Sequence, residues 1–123
     1  MQSFLPYPSP LASAWALDRQ RLGKQRVEAL QIVNTLTGRS SGWQHHPVVR
    51  MWRGYEPQLL AYGLTICQVW RQQGYNDTVL DMLRALAAAE ALVPDFDRLP
   101  AWVTPAFCLS HQANLIRKLP TWY

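Results

Sequence analysis

Residues 13–36 read SAWALDRQRLGKQRVEALQIVNTL, a stretch without proline and rich in helix-forming residues. Gly38 follows it as a C-terminal stop signal. We therefore expect one helix that begins after Pro10 and ends before Gly38. A rotation of about 100° per residue places a set of mostly apolar positions on one face, which we expect to pack against the core. These positions are Leu22, Arg26, Ala29, Leu30, Val33 and Leu36.

A second stripe of the same helix carries Arg21, Lys24 and Glu28 at spacing i, i+3, i+7, with Gln20 and Gln31 near its edge. One explanation is structural, because an exposed Lys24–Glu28 pair contributes about 0.3–0.5 kcal/mol. The other is functional: a carboxylate that serves as a general acid or base inside a phosphate-binding surface. Composition alone favours the structural explanation.

The middle of the chain predicts a second helix from about Pro47 to Gln73, kinked near Gly54 or Pro57. Gly63 lies on its apolar face and indicates the close approach of a neighbouring helix.

A third helix is expected over about 77–90, with Asn76 or Asp77 as its cap. A loop with three prolines follows over 91–105, and Ser110 could cap a last helix that ends before Pro120. Because no strand-like alternation or repeat occurs, the pattern predicts one all-α domain over residues 1–123.

The composition limits the class of protein. Of the 123 residues 49% are hydrophobic and six are Trp, which is typical of one globular domain. The longest apolar run, ALAAAEALV, is too short to span a bilayer, and the first residues do not resemble a secretory signal. Cys67 and Cys108 make no disulfide framework. We expect both thiols to be buried and the protein to lie in a reducing compartment.

The charge is uneven along the chain. The net charge is +4, and ten of the twelve cations are Arg, a side chain suited to phosphate. The balance is +5 over residues 1–76 and −3 over 77–98. This pattern fits a nucleic-acid partner, a mildly basic surface without a partner, or a helical interaction domain that presents residues 77–98 to another protein.

Other polar groups could touch DNA. The adjacent His45 and His46 are a poor metal chelate on a helix, so we expect no metal. His46, Arg50 and Arg53 could contact a phosphate or a flipped nucleotide, or could be solvated surface residues. In SHQANLIRKLPTWY, residues 110–123, cations lie beside aromatic rings, a combination that suits DNA and is weak by itself.

Three stretches, in this order, resemble the pyrimidine-dimer DNA glycosylase/AP lyase (endonuclease V-like) family. QRLGKQRVEAL is similar to the family's first helix, in which the catalytic glutamate follows a leucine by six residues; counting from Leu22 gives Glu28. HHPVVRMWRGYEPQLLAYGLTICQVWRQQGYND is similar to the second helix, and SHQANLIRK with LPTWY to the third helix and aromatic tail. The likeness is closer still to a small actinobacterial-type branch.

The resemblance implies a compact single domain of three principal helices plus a short additional helix and long loops. It implies base excision repair, in which a damaged or modified base is removed from duplex DNA. The family uses its N-terminal amine, whose pKa is ordinarily about 7.7–8.0, to attack C1′ and form a Schiff base. β-Elimination then nicks the strand.

Carried over to this chain, the resemblance makes Glu28 the catalytic acid/base and the amine of Met1 or Gln2 the nucleophile. It implies that the protein needs no metal or cofactor and does not bind a membrane. We expect it in the bacterial cytoplasm, associated with the nucleoid, and a monomer is favoured. The expected DNA contacts are Gln20, Arg21, Lys24, Arg26, His46, Arg50, Arg117, Lys118, Trp122 and Tyr123.

The chain departs from the family pattern at several positions. The family's nucleophile is a small residue exposed by removal of Met, whereas this chain carries Gln2, whose bulk normally blocks that removal. Lys24 or Lys118 is an alternative nucleophile if it is desolvated. Asn114 stands where the family has an arginine, and relatives continue past the position of Tyr123 with a basic aromatic tail. The rival hypothesis is a nucleic-acid-binding protein that has lost the nucleophile.

Overall fold

The structure is a computed structural model that describes residues 1–123, and it contains six helices and no strand. The expected all-α domain is confirmed, with α2, α4 and α6 as its three longest helices. None of the helices is long and apolar enough to cross a membrane. The helices are α1 (Pro10–Ala16), α2 (Arg19–Leu36), α3 (Pro47–Trp52), α4 (Glu56–Gln72), α5 (Val79–Ala89) and α6 (Pro105–Lys118).

The prediction of one unbroken helix over residues 13–36 was wrong, because the chain breaks at Leu17 and Asp18. The side chain of Asp18 accepts a hydrogen bond from the Arg21 amide and so starts a new helix. The shorter helix α1 begins at Pro10, where Ser9 is the N-cap. Proline at the first helical position loses no hydrogen bond, so it starts this helix rather than preceding it.

The expected kink in the second helix is a complete break at Gly54. Gly54 has φ +86°, a left-handed conformation that favours glycine, and it separates α3 from α4. Pro57 lies in the first turn of α4, where no amide hydrogen is needed.

The last two helices differ from the expected bounds. The N-cap position of α5 belongs to Thr78, not to Asn76 or Asp77 as expected, but the carboxylate of Asp77 just before it accepts hydrogen bonds from the amides of Val79 and Leu80. The prediction that Ser110 caps the last helix was wrong. Helix α6 begins at Pro105, where the Thr104 hydroxyl accepts a hydrogen bond from the Phe107 amide. Thr-Pro is a helix start signal, but Pro105 was assigned to the preceding loop because that loop contains two other prolines.

Helix α4 is the centre of the core and packs against α1, α2 and α5. The close approach expected at Gly63 is confirmed, since a Cβ there would lie 3.3 Å from Ala29 Cβ and 3.1 Å from Leu83 Cδ1. On α2 the expected core positions Leu22, Ala29 and Val33 are buried, while the other three are only partly buried. Both cysteines are free and buried, as expected.

Candidate active site

The N-terminal segment, residues 1–8, is not helical, and side chains of three helices hold its backbone. The Phe4 amide donates to Gln25 Oε1 and to Tyr62 Oη, both at 3.2 Å. The Leu5 amide donates to His111 Nδ1 at 3.0 Å. Since residues 3–5 are buried, their backbone groups need such partners. The first residues are therefore fixed against α2, α4 and α6.

Glu28 on α2 meets this segment at the N terminus. Its Oε2 atom accepts a hydrogen bond from the Gln2 amide at 3.3 Å and from Gln25 Nε2 at 2.9 Å. Glu28 forms no salt bridge with Lys24 or Arg21. The Lys24–Glu28 ion pair, which was the structural explanation of this stripe, is therefore absent from the structure.

The carboxylate of Glu28 opens into a cavity of about 130 Å³ that is rich in cations. Arg21, Lys24 and Lys118 line it, and only Arg21 shares its charge with a carboxylate, that of Asp18 at 3.3 Å. Three cations around one carboxylate make a site for an anionic group such as a DNA phosphate. The complete lining is Gln2, Phe4, Gln20, Arg21, Lys24, Gln25, Glu28 and Lys118.

A second cavity of about 240 Å³ also adjoins the first residues, and Gln2 and Phe4 line both cavities. Met1, His46 and His111 contribute to its wall. His46 Nδ1 accepts a hydrogen bond from the Val48 amide and so caps α3. Burial lowers the pKa of His111 below its usual value, so this ring is held in its neutral form.

The structure brings together most of the residues expected at a DNA site but not all of them. Arg26 lies elsewhere, in an ion pair with Asp77 and over the Trp70 ring at 4.5 Å. Arg50 is exposed on α3, and the Arg117 guanidinium donates to Asn114 Oδ1 at 2.7 Å. Those that line one of the two cavities are Met1, Gln2, Gln20, Arg21, Lys24, Glu28, His46 and Lys118.

The two C-terminal aromatic residues bind the end of the chain to the junction between α1 and α2. Tyr123 Oη donates to Asp18 Oδ1 at 2.6 Å, and burial together with this bond raises the pKa of Tyr123. Trp122 donates its indole hydrogen to the Ala16 carbonyl at 2.8 Å and keeps 57% of its surface exposed. The Tyr123 phenol is thus engaged within the protein, while the Trp122 ring can still reach a partner.

Sequence reasoning missed three residues of this site: Gln25, Tyr62 and His111. Tyr62 occupies an ordinary core position on α4, and Gln25 is a polar residue on a helix that is polar on most sides. Their importance depends on the path of the N-terminal segment, which no periodicity encodes. No group of three His, Cys, Asp or Glu side chains lies close enough to hold a metal ion.

An all-helical domain with one carboxylate beside its N terminus, in a cavity lined by cations, defines a candidate enzyme that acts on an anionic polymer. The chain matches the family of pyrimidine dimer DNA glycosylases over residues 1–83, and it belongs to that family. The resemblance noted in the sequence is thereby confirmed, and the family assigns DNA as substrate and glycosylase as the class of activity. The closer likeness to an actinobacterial-type branch stays a prediction. The chain matches no curated protein and no solved structure.

Proposed function

We propose that this protein excises a damaged or modified base, a pyrimidine dimer being the first candidate, from duplex DNA and then cleaves the abasic strand as an AP lyase. The observation that supports this most directly is the 3.3 Å contact between the Gln2 nitrogen and Glu28 Oε2. A carboxylate placed there can take a proton from an attacking amine and stabilise the positive charge that develops on the sugar.

The cations bind the strand on either side of the lesion. Lys24 and Lys118 are exposed and line the cavity with Glu28, so their ammonium groups can reach phosphates without breaking an existing ion pair. The sugar of a distorted or flipped nucleotide then approaches the terminal amine. With DNA as the substrate, we propose that the protein acts on the nucleoid.

The reaction proceeds through a covalent Schiff base between the protein amine and the sugar. The amine nitrogen forms a bond to C1′ as the bond from C1′ to the base breaks, and the base leaves with the electron pair and is protonated. Loss of the amine proton and opening of the sugar ring give a protonated Schiff base. Removal of a proton from C2′ expels the 3′ phosphate, and water finally hydrolyses the Schiff base to free the amine.

The position of the amine depends on processing of the N terminus. If Met1 is removed, the amine is the Gln2 nitrogen that already contacts Glu28. If Met1 is retained, its own amine is the nucleophile; in the present arrangement this amine forms no ion pair with a carboxylate. Lys24 and Lys118 remain alternatives in the same cavity, but both are exposed rather than desolvated.

Borohydride trapping with duplex DNA that carries an abasic site tests the proposal. We expect a covalent adduct that peptide mapping places at residue 1 or 2. An adduct at Lys24 or Lys118 would mean a relocated nucleophile. If no adduct forms and salt-sensitive DNA binding persists, the lyase step is refuted and a one-step glycosylase or a binding protein remains.

The Glu28→Gln variant separates an enzyme from a binding protein. We expect its trapping and base-excision rates to fall by at least about 100-fold, while its DNA affinity is kept or increased because a negative charge has been removed. Glu90→Gln is the matched control, since Glu90 pairs with Arg39 far along the chain and lines neither cavity. Equal rates for Glu28→Gln and the wild type would contradict the assigned role.

A further inference from the structure

We infer that Gln25 is a positioning residue that holds the Glu28 carboxylate and the first residues of the chain in one fixed arrangement, and that Tyr62 in turn holds Gln25. The inference rests on the proposed function, because the geometry it explains is that of the terminal amine and its carboxylate.

The side-chain amide of Gln25 makes four hydrogen bonds although only 1% of the residue is exposed. Oε1 accepts from the Phe4 amide at 3.2 Å and from Tyr62 Oη at 2.6 Å. Nε2 donates to the Gln2 carbonyl at 3.1 Å and to Glu28 Oε2 at 2.9 Å. An amide has two donor and two acceptor positions, so its capacity is used completely.

Packing of the core alone does not require an amide at this position. An apolar side chain of similar size would fill the same space in the core, whereas a buried amide is costly unless every polar atom is paired. The pairs it makes connect the N-terminal segment to the helix that carries Glu28, beside the direct contact between Gln2 and Glu28. This is the arrangement expected of a residue that supports a reactive site.

The orientation of the amide is determined by its surroundings. The Phe4 amide is a donor, so the atom that faces it must be the oxygen of Gln25. The Tyr62 hydroxyl is buried and hydrogen-bonds to the same oxygen of Gln25. It also contacts the Phe4 nitrogen and the Phe4 carbonyl. The amino group therefore always points toward Gln2 and Glu28 and cannot flip away.

The consequence for Glu28 is that one carboxylate oxygen is fixed and the other is left for substrate. Oε2 receives both the Gln25 amino group and the Gln2 nitrogen, while no protein donor reaches Oε1. The bond from Gln25 is charge-assisted and so stronger than a neutral one. Because the same amino group holds the Gln2 carbonyl, Gln2 cannot move independently of the carboxylate, whether it carries the amine itself or follows Met1 that carries it.

The first test compares Gln25→Met with Thr35→Val, which removes another buried polar group from the same helix, one that bonds only to the Gln31 carbonyl. We expect Gln25→Met to lower the trapping rate at saturating DNA by about 10- to 100-fold with little change in DNA affinity. Tyr62→Phe should lower it by a smaller factor, since it acts through Gln25. A Gln25→Met rate equal to that of Thr35→Val would overturn the inference.

The Gln25→Glu variant tests the donor role of Gln25 through the pH dependence of the trapping rate, which a purely structural role would not change. Its carboxylate can accept from Phe4 and Tyr62 but cannot donate to Glu28 unless it is protonated. The ratio of its trapping rate to that of the wild type should therefore rise as the pH falls from about 8 to about 6. A ratio that does not change with pH would count against the donor role of Gln25.

Amide hydrogen exchange keeps the inference testable without activity. In Gln25→Met the Phe4 amide should exchange at least about 10-fold faster than in the wild type, while the amides in the middle of α4 exchange as before. If the wild type forms no adduct but this local change appears, the proposed lyase step fails and the role of Gln25 in fixing the segment stands. If the Phe4 amide is unaffected, the inference fails even where the wild type traps DNA.

Discussion

At the scale of single residues, His111 holds the N-terminal segment through a bond that depends on its protonation state. Its Nδ1 atom accepts a hydrogen bond from the Leu5 amide, which is possible only while that nitrogen carries no proton. Burial lowers the pKa of His111 below its usual value of 6.5, and the ring lies against Phe4 and Phe107 with centroid distances of 5.9 and 4.1 Å. Protonation would break one of the bonds that fix the N-terminal segment.

We therefore predict that acid weakens the fold through His111. The pKa of this histidine is lower in the folded than in the unfolded chain, so between the two values the unfolded chain binds more protons. The free energy of unfolding must then fall as the pH decreases from above about 6.5 and level off below the folded pKa. Urea titrations at several pH values measure this dependence.

The variants His111→Gln and His45→Gln complete that experiment. Glutamine at position 111 can still accept the Leu5 hydrogen bond but does not titrate, so its stability should depend less on pH in this range. His45 is exposed, and its replacement should leave the wild-type dependence unchanged. A His111→Gln protein with the full wild-type pH dependence would contradict the prediction.

At the scale of helices, Asp77 joins three of them. Its side chain is completely buried and accepts hydrogen bonds from the first amides of α5, from Arg26 on α2 and from Arg71 on α4. Burial opposes its ionisation, but the amides of Leu80 and Val79 and the Arg26 guanidinium outweigh burial and hold the pKa of Asp77 below its usual value. The negative charge of Asp77 is thus neutralised by partners within the protein.

Asp77→Asn should destabilise the protein by about 1.5–3 kcal/mol at neutral pH, because two arginines lose their charged partner. The pKa of Asp77 is depressed, so its contribution is present above the unfolded value of about 3.9 and is lost as the pH falls through the folded value. The difference between variant and wild type should shrink accordingly in acid. Urea denaturation measures both effects.

Asp81→Asn is the control for this prediction. Asp81 also pairs with Arg71, at 3.6 Å, but its side chain is 74% exposed, so we expect a change within about 0.5 kcal/mol. Similar losses for the two variants would show that net charge, and not the buried bonds of Asp77, determines the effect.

At the scale of the whole molecule, the sequence predicted the class of fold well because periodicity and turn residues act locally. Three core positions of α2, an interruption near Gly54 and the close approach of a helix to Gly63 were each indicated by residues that are close together in sequence. The first residues of α1 and α6 were not predicted correctly. Ser9 and Thr104 each precede a proline, and a proline at that position begins a helix instead of ending one.

The site was only partly predictable, for a related reason. The resemblance supplied Glu28, and its spacing supplied the neighbouring cations, but the contact between Glu28 and Gln2 spans 26 positions of the chain. Arg26 shows the opposite error. Its position near a basic stripe suggested DNA, yet its distant partner Asp77 holds it inside the protein. Long-range pairs of this kind are decided by the path of the backbone and not by local pattern.

The distribution of charge over the whole molecule gives a last prediction, which concerns DNA affinity. Part of the acidic segment 77–98 is neutralised within the protein, since Asp77 and Glu90 pair with arginines, whereas Lys24 and Lys118 remain unpaired at the cavity. Phosphate contacts release counterions, so the logarithm of the affinity should fall steeply and linearly with the logarithm of the salt concentration. Lys24→Ala should weaken binding to all sequences and reduce that slope by about one unit.

Arg84→Ala removes the same net charge from α5, none of whose residues lines the cavity with Glu28, so its slope should equal that of the wild type. Equal reductions for the two variants would mean that DNA responds to overall charge and not to the cavity. A slope near zero in the wild type would instead favour the third possibility, in which the acidic segment docks a protein partner. Because the two variants have the same net charge, a difference between their slopes can come only from where each cation lies.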